Sequence, residues 1–103
     1  MLDMWNGGEV KPTKAWQLLH SPEKWCKGQL AMDMHGNKVE PFSDTAERFC
    51  AVGAIRRAYG YDSHSDIVKE KLRDAVGRLI PGWNDAPERT WEEVYGKLKA
   101  LDI

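Results

Sequence analysis

The sequence predicts an α+β fold that is mostly α-helical, with about four helices and one short β-hairpin between the first and second helices. Apolar residues recur at helical spacing in four stretches, whereas one stretch near residue 30 alternates. The chain has 103 residues, of which 42% are hydrophobic and 30% charged, as is typical of one globular domain. We therefore expect a single compact domain over residues 11–103, after a flexible N-terminal arm over residues 1–10.

The first helix is expected to begin near Pro12, because proline suits the first helical position, where its missing N–H has no partner to lose. Its apolar stripe consists of Ala15, Trp16, Leu18 and Leu19. The segment 21–23, Ser-Pro-Glu, ends this helix and opens one further turn that carries Trp25.

The hairpin prediction rests on a period of two. Leu30, Met32 and Met34 alternate with other residues, and the His-Gly-Asn segment 35–37 suits a tight turn before residues 38–40 return. Two strands alone are marginally stable in water, so the hairpin is expected to pack on the helices.

The second helix is expected to begin at Ser43 or Asp44, with Glu47 completing a capping box, and to end at Tyr59 before Gly60. One face of this helix carries only small residues, which let a neighbouring backbone approach closely: Ala46, Cys50, Gly53 and Ala54. The pattern therefore predicts that the second helix lies at the centre of the core.

A third helix is predicted from about Asp66 to Leu79, capped by Ser63 or Ser65, with its charged face toward solvent. Its apolar stripe consists of Ile67, Val68, Leu72, Ala75, Val76 and Leu79. Residues 80–87 are bounded by prolines and are expected to form a rigid loop. A capping box over residues 90–93 then opens the last helix, whose buried face consists of Trp91, Val94, Tyr95, Leu98 and Leu101.

Composition and charge argue against several classes of function. The formal net charge is −1, so neither duplex nucleic acid nor an anionic membrane is an expected partner. No stretch approaches the roughly 20 apolar residues of a membrane span, and the first residues do not resemble a signal peptide, so a cytoplasmic location is expected. Cys26 and Cys50 are then reduced thiols, and neither a metal nor a cofactor is predicted.

Three motifs resemble a known family. Residues 46–55 resemble A-x-x-[WF]-C-x-x-G-A, with Phe49 where Trp is more typical, and residues 83–94 resemble W-N-D-x-P-x-R-T-x-x-E-V. Residues 25–36 resemble W-x-x-G-x-x-A-x-D-x-x-G. Together, over residues 14–101, they are similar to a family of small uncharacterised bacterial and phage proteins, a domain of unknown function. The resemblance implies no named activity.

The strongest candidate for a ligand site is the Trp83-Asn84-Asp85 segment. Its Asn and Asp side chains either cap their own backbone as Asx-turns or present a polar cluster beside an indole, and Arg89 is a candidate clamp for Asp85. Five Trp residues form either a Trp-rich core or the rim of a groove. The candidate ligand-binding residues are Trp25, Asp33, His35, Trp83, Asn84, Asp85 and Arg89.

Two other groups of residues could carry chemistry. Cys50 is either a small buried hydrophobe or a nucleophile, alone or in a triad with His35 and Asp85. A modest basic patch on the second and third helices could contact the phosphate of a small ligand, and it consists of Arg48, Arg56, Arg57, Lys69, Lys71, Arg73 and Arg78.

The sequence favours a non-catalytic binding protein that blocks a host protein or sequesters a small polar, nucleotide-like ligand. One version of this prediction is a phage-encoded factor. One alternative is a thiol-dependent hydrolase or transferase centred on Cys50. Another is a structural accessory protein, with a homo-oligomer left open.

Overall fold

The computed structural model describes residues 14–103, so the predicted arm over residues 1–10 lies outside the described part. The fold is α+β and mostly helical, as predicted, with a three-stranded antiparallel sheet. The helices are α1 Ala15–Leu18, α2 Ala51–Tyr59, α3 Ser63–Val76, α4 Ile80–Asp85 and α5 Trp91–Leu101. The strands are β1 Ala31–Met32, β2 Lys38–Val39 and β3 Arg48–Phe49, and a 3-10 turn spans Pro22–Lys24.

Helix α1 begins three residues later than predicted. Lys14 is still extended, with φ −128° and ψ 145°, and its N–H donates to the side-chain oxygen of Gln17 at 3.1 Å. This hydrogen bond caps the helix at Lys14, so α1 begins at Ala15, whereas the predicted start at Pro12 lies outside the described residues. The further turn predicted after Ser21 is present, and Trp25 follows it directly.

The predicted hairpin is confirmed, and a third strand joins it. Strand β1 pairs with β2 on one side, Ala31 opposite Val39, and with β3 on the other, Ala31 opposite Phe49. The buried residue of β1 is Ala31, whereas Met34 lies in the turn and is exposed. The alternation in the sequence therefore located the hairpin, and the structure shows that Ala31 is its buried residue.

The predicted start of the second helix is wrong. Residues 46–49 are not helical, because the N–H of Glu47 donates to Met32 at 2.8 Å and the N–H of Cys50 donates to Leu30 at 3.2 Å, both to backbone carbonyls. Ser43 accepts the N–H of Thr45 in a local turn at 3.2 Å instead of capping a helix. Helix α2 begins at Ala51, and its capping residue is Cys50.

Helix α2 lies at the centre of the core, as predicted. Its first five residues, 51–55, are all buried, and the helix contacts α1, α3 and α4. A Cβ atom on Gly53 would lie 1.8 Å from the carbonyl oxygen of Leu30, so only glycine allows the strand segment to approach this closely. The helix ends before Gly60, whose φ of 87° suits glycine.

Helix α3 begins and ends earlier than predicted. Asp62 caps it by accepting the backbone N–H groups of His64 and Ser65, so the predicted serine caps, Ser63 and Ser65, lie inside the helix. The helix stops at Gly77, which adopts the left-handed conformation with φ 76°. Of the predicted apolar stripe, Ile67 and Ala75 are exposed, because the core side of the helix is centred on Val68 and Leu72. Leu79 is also exposed, but it lies beyond the end of α3, at the N-cap of α4.

The predicted rigid loop over residues 80–87 is wrong in its first part, where the chain forms the short helix α4. Pro81 lies in the first turn, where a proline costs no hydrogen bond, so it starts this helix. The capping box of α5 is confirmed: the N–H of Glu93 donates to the Thr90 hydroxyl at 3.3 Å, and the N–H of Thr90 donates to the Glu93 carboxylate at 3.0 Å.

Tryptophan side chains join distant segments through their indole N–H groups. Trp16 donates to Asp102 at 3.3 Å, Trp25 to Asn84 at 2.8 Å, and Trp91 to the carbonyl of Leu19 at 2.7 Å.

Within residues 14–103, none of the helices combines the length and hydrophobicity needed to cross a lipid bilayer.

Candidate functional site

Asn84 is fully buried and joins three segments of the chain. Its side-chain oxygen accepts the indole N–H of Trp25 at 2.8 Å and the backbone N–H of Ala51 at 3.0 Å. Its side-chain nitrogen donates to the carbonyl of Cys26 at 3.2 Å and to the carboxylate of Asp85 at 2.8 Å. Asn84 lies near the end of α4, and its amide thereby supplies an acceptor to the N–H of Ala51, the first residue of α2. It makes no Asx-turn of its own.

Asp85 is exposed, but one of its oxygens is committed to structure. Besides the contact with Asn84, this Oδ1 accepts the backbone N–H of Gly28 at 3.0 Å. Lys27 donates to the carbonyl of Ala86 at 2.8 Å beside it. These bonds fasten residues 27–28 to the end of α4, so this part of the predicted site is chiefly a structural junction.

Trp83 and Arg89 form a separate pair. Trp83 is only 6% exposed, and the Nε of Arg89 donates to its carbonyl at 2.8 Å while the guanidinium lies 5.1 Å from the centre of its ring. The remaining bond of Arg89 is to Glu93 at 3.1 Å. The predicted clamp of Arg89 on Asp85 is therefore wrong, because the helix α5 carboxylate one turn away is the ion-pair partner.

Asp33 and His35 lie in the hairpin turn. Both oxygens of Asp33 accept hydrogen bonds, from the N–H groups of His35 and Asn37 and from the Asn37 side chain, at 2.8–3.1 Å. The bond from Asn37, more than any other, lowers the pKa of the Asp33 carboxyl below its usual value. These two residues line a different depression from Asp85, so the structure does not bring them to the Asn84 junction.

Cys50 caps α2: its sulfur accepts the N–H of Gly53 at 3.3 Å. It lies on the wall of a depression of about 230 Å³ that Lys38 and Asp85 also line, whereas His35 does not. Burial raises the pKa of the Cys50 thiol above its usual value, although the Gly53 N–H acts in the opposite direction. The thiol is therefore protonated at neutral pH, which does not favour a nucleophile.

Cys26 has the same character. Burial raises the pKa of its thiol to about 12, and its S–H donates to the carbonyl of Gln29 at 3.6 Å. Among residues 14–103, His, Cys, Asp and Glu side chains form no group of three or more that could hold a metal ion.

A larger groove lies between α2, α3 and the start of α4, with a volume of about 410 Å³. Its apolar side consists of Val52, Leu79, Ile80 and Pro81. Its charged side consists of Arg56, Asp66, Lys69, Glu70 and Arg73. The basic patch in the sequence indicated part of this groove, whereas nothing in the sequence indicated its apolar side.

The charges of the groove are unequally satisfied. Lys69 pairs with Asp66 at 3.3 Å, and Arg73 pairs with Glu70. Within the described residues Arg56 has no ion pair, and its Nε is buried without a hydrogen-bond partner. Its guanidinium lies 5.2 Å from the centre of the Tyr61 ring.

The other members of the predicted basic patch have different roles. Arg57 donates to the carbonyls of Pro41 at 2.6 Å and Ser43 at 3.0 Å, which holds the loop before β3. Lys71 donates to the carbonyl of Leu101 at 2.9 Å. Of the three basic-patch residues that line the groove, Lys69 and Arg73 are ion-paired, whereas Arg56 has no ion pair within the described residues.

Comparison with known proteins places the chain in one family. No curated protein matches the sequence, and no solved structure does either. The sequence profile of one family matches residues 13–101, nearly the whole described part and nearly the range of the three motifs. The resemblance seen in the sequence is thereby confirmed, and the chain belongs to the family of unknown function DUF6197.

Proposed function

We propose that this protein is a non-catalytic binding protein that takes up a small anionic ligand in the groove between α2, α3 and α4. The observation that carries the proposal is Arg56, whose buried Nε has no partner although the residue lines a groove of about 410 Å³.

The Nε of Arg56, which has no hydrogen-bond partner, is the strongest argument for an anion. Arginine stays charged at any physiological pH, and a buried donor without a partner costs free energy. Three buried side-chain atoms within residues 14–103 lack a partner, and of these only Arg56 carries a charge, since the others are the hydroxyls of Ser21 and Ser65. A carboxylate or phosphate of a ligand would supply an acceptor to the guanidinium of Arg56, whose Nε is itself closed to solvent in this structure.

The size and construction of the groove suit a small ligand. Pockets that hold small molecules have volumes of about 300–1,000 Å³ and are mostly preformed. Helical segments supply both sides of this groove, and α4 is anchored at its far end by the buried Asn84. Little ordering would be needed on binding, which favours affinity.

The proposal extends the sequence-based prediction of a sequestering protein. A phage-encoded origin, a cytoplasmic location, a host protein as partner and a homo-oligomer stay predictions alongside it. The thiol-dependent alternative receives no support from the raised pKa of Cys50.

The test is isothermal titration calorimetry with a panel of nucleotides, sugar phosphates and carboxylates. We expect at least one compound to bind, and Arg56→Gln to weaken it by at least about tenfold, because a charge-assisted hydrogen bond contributes about 1.5–3 kcal/mol. Arg56→Lys, which keeps the charge but loses the fork of donors, should weaken it less.

Arg78→Gln is the matched control, because it removes the same charge from an exposed position that does not line the groove. Thermal unfolding of each variant shows whether it is folded. Binding to no member of the panel, or equal binding by wild type and Arg56→Gln, would contradict the proposal.

A further inference from the structure

We propose that the ligand of the groove is an aliphatic monocarboxylate, and not a nucleotide; this inference rests on the proposed function and names its ligand class. The apolar residues of the groove, on α2 and at the start of α4, are all aliphatic: Val52, Leu79, Ile80 and Pro81. A nucleobase is normally held by stacking on an aromatic ring, and none of the described residues that line this groove is aromatic.

The nearest aromatic side chain to Arg56 is already engaged. The Tyr61 ring lies 5.2 Å from the Arg56 guanidinium and 5.4 Å from the Phe42 ring, measured between centres, and it does not line the groove. A base stacked on Tyr61 would lie outside the described lining of the groove. An aliphatic chain needs no such platform.

Leu79 indicates where the apolar part of the ligand would lie. It is 67% exposed although it lines the groove, and it stands beside the buried Ile80. A hydrocarbon chain along α4 would cover this side chain and gain about 25 cal/mol for each Å² of apolar surface removed from water.

The charge of the groove indicates the head group. Among the described residues of the lining, two of the three cations are paired with Asp66 and Glu70, which leaves one net positive charge, that of Arg56. A carboxylate matches this single charge and accepts two parallel hydrogen bonds from a guanidinium. A phosphate monoester carries nearly two negative charges at neutral pH and would also face both acidic side chains.

The experiment is a calorimetric titration of the wild-type chain with octanoate, AMP and inorganic phosphate. We expect octanoate to bind at least about tenfold more tightly than AMP or phosphate. Leu79→Ser and Arg56→Gln should each weaken octanoate binding by about fivefold or more, because they remove the contacts of the chain and the head group.

Ile67→Ser is the matched control, because Ile67 is also on the α3 side of the molecule and is 66% exposed but does not line the groove. It should bind octanoate as wild type does. Equal weakening in Ile67→Ser and Leu79→Ser, or unchanged binding in all variants, would show unspecific adsorption and overturn the inference.

The two proposals fail in different ways. If AMP or phosphate binds through Arg56 as tightly as octanoate, the ligand class is wrong while the groove remains a binding site. If no anion of the wider panel depends on Arg56, both proposals are overturned.

Discussion

Asn84 shows how one side chain can hold this fold together. It accepts the N–H groups of Trp25 and Ala51 and donates to Cys26, and all of these partners lie more than 30 positions away in the sequence. A fully buried amide is tolerated only when its hydrogen bonds are made, as they are here.

Replacing this amide should therefore be costly. Asn84→Leu keeps the volume but leaves the Trp25 indole and the Ala51 N–H without acceptors, so we expect a loss of at least about 3 kcal/mol in the free energy of unfolding. Urea unfolding followed by circular dichroism measures this loss. Glu88→Ala, an exposed neighbour in the next loop, should change stability by less than about 0.5 kcal/mol; a similar small effect for Asn84→Leu would refute the structural role.

The two thiols give a second prediction at this scale. Because burial raises the pKa of Cys26 to about 12 and also raises that of Cys50, we expect neither to react with a disulfide reagent in the native chain. Both should react once the chain is unfolded in guanidinium. Rapid modification of Cys50 in the native protein at neutral pH would reinstate the thiol-dependent alternative.

For the candidate site, the sequence predicted correctly that several residues lie together, but it did not predict their structural role. Trp25, Asn84 and Asp85 do come together, but the interpretation of Asn84 as a group offered to a ligand could not foresee its burial. Burial is decided by partners that follow the 3-10 turn and by the start of α2, and a single sequence does not show which distant segments meet.

At the scale of elements, the contact of α2 with Leu30, the residue before β1, depends on glycine. Gly53→Ala would place a methyl group 1.8 Å from the Leu30 carbonyl oxygen, so we expect it to destabilise the fold by about 3 kcal/mol or more. Gly96→Ala is the matched control, since no atom lies within 4 Å of the added methyl and α5 should gain about 0.5–1 kcal/mol of stability. Equal effects in chemical unfolding would mean that the close approach does not exist.

The elements themselves were predicted where local signals agree with tertiary structure. The capping box at Thr90 and the glycine after Tyr59 both mark real helix ends. The apparent capping box at Asp44 does not, because the segment before Cys50 makes its hydrogen bonds to β1. Strand pairing across 16 residues overrides a local signal that is as good as the one at Thr90.

At the scale of the whole molecule, Asp102 connects the last helix to the first. It accepts hydrogen bonds from the Lys14 ammonium at 3.2 Å and the Trp16 indole at 3.3 Å, and its own backbone adopts the left-handed conformation with φ 55°. The bond from Lys14 is the main cause that lowers the pKa of the Asp102 carboxyl.

This contact predicts a dependence of stability on pH. A carboxyl whose pKa is lower in the folded state stabilises the fold above its unfolded pKa, near 3.8, and loses that contribution as the pH falls through the folded value. Asp102→Asn tolerates the same backbone conformation, so its stability deficit relative to wild type should be present at neutral pH and shrink in acid. Urea unfolding of both proteins at a series of pH values measures this, and a deficit that is constant with pH would exclude the linkage.

The groove belongs to the molecule as a whole, because α2, α3 and α4 each contribute one part of it. The sequence placed Arg56 among several basic residues and Leu79 in a buried stripe, and only the arrangement of three helices puts the two beside the same groove. A groove assembled from three separate helices is not marked by any motif in the sequence.

The most direct test of the central claim is a nuclear magnetic resonance titration of the ¹⁵N-labelled protein with octanoate, observing the side-chain Nε–H of Arg56. We predict that this resonance and the amide signals of Val52, Leu79 and Ile80 shift together and saturate with one affinity. Shifts confined to the indole of Trp25 and the side chain of Asn84, with the Arg56 signal unmoved, would contradict the account and return the binding site to the junction.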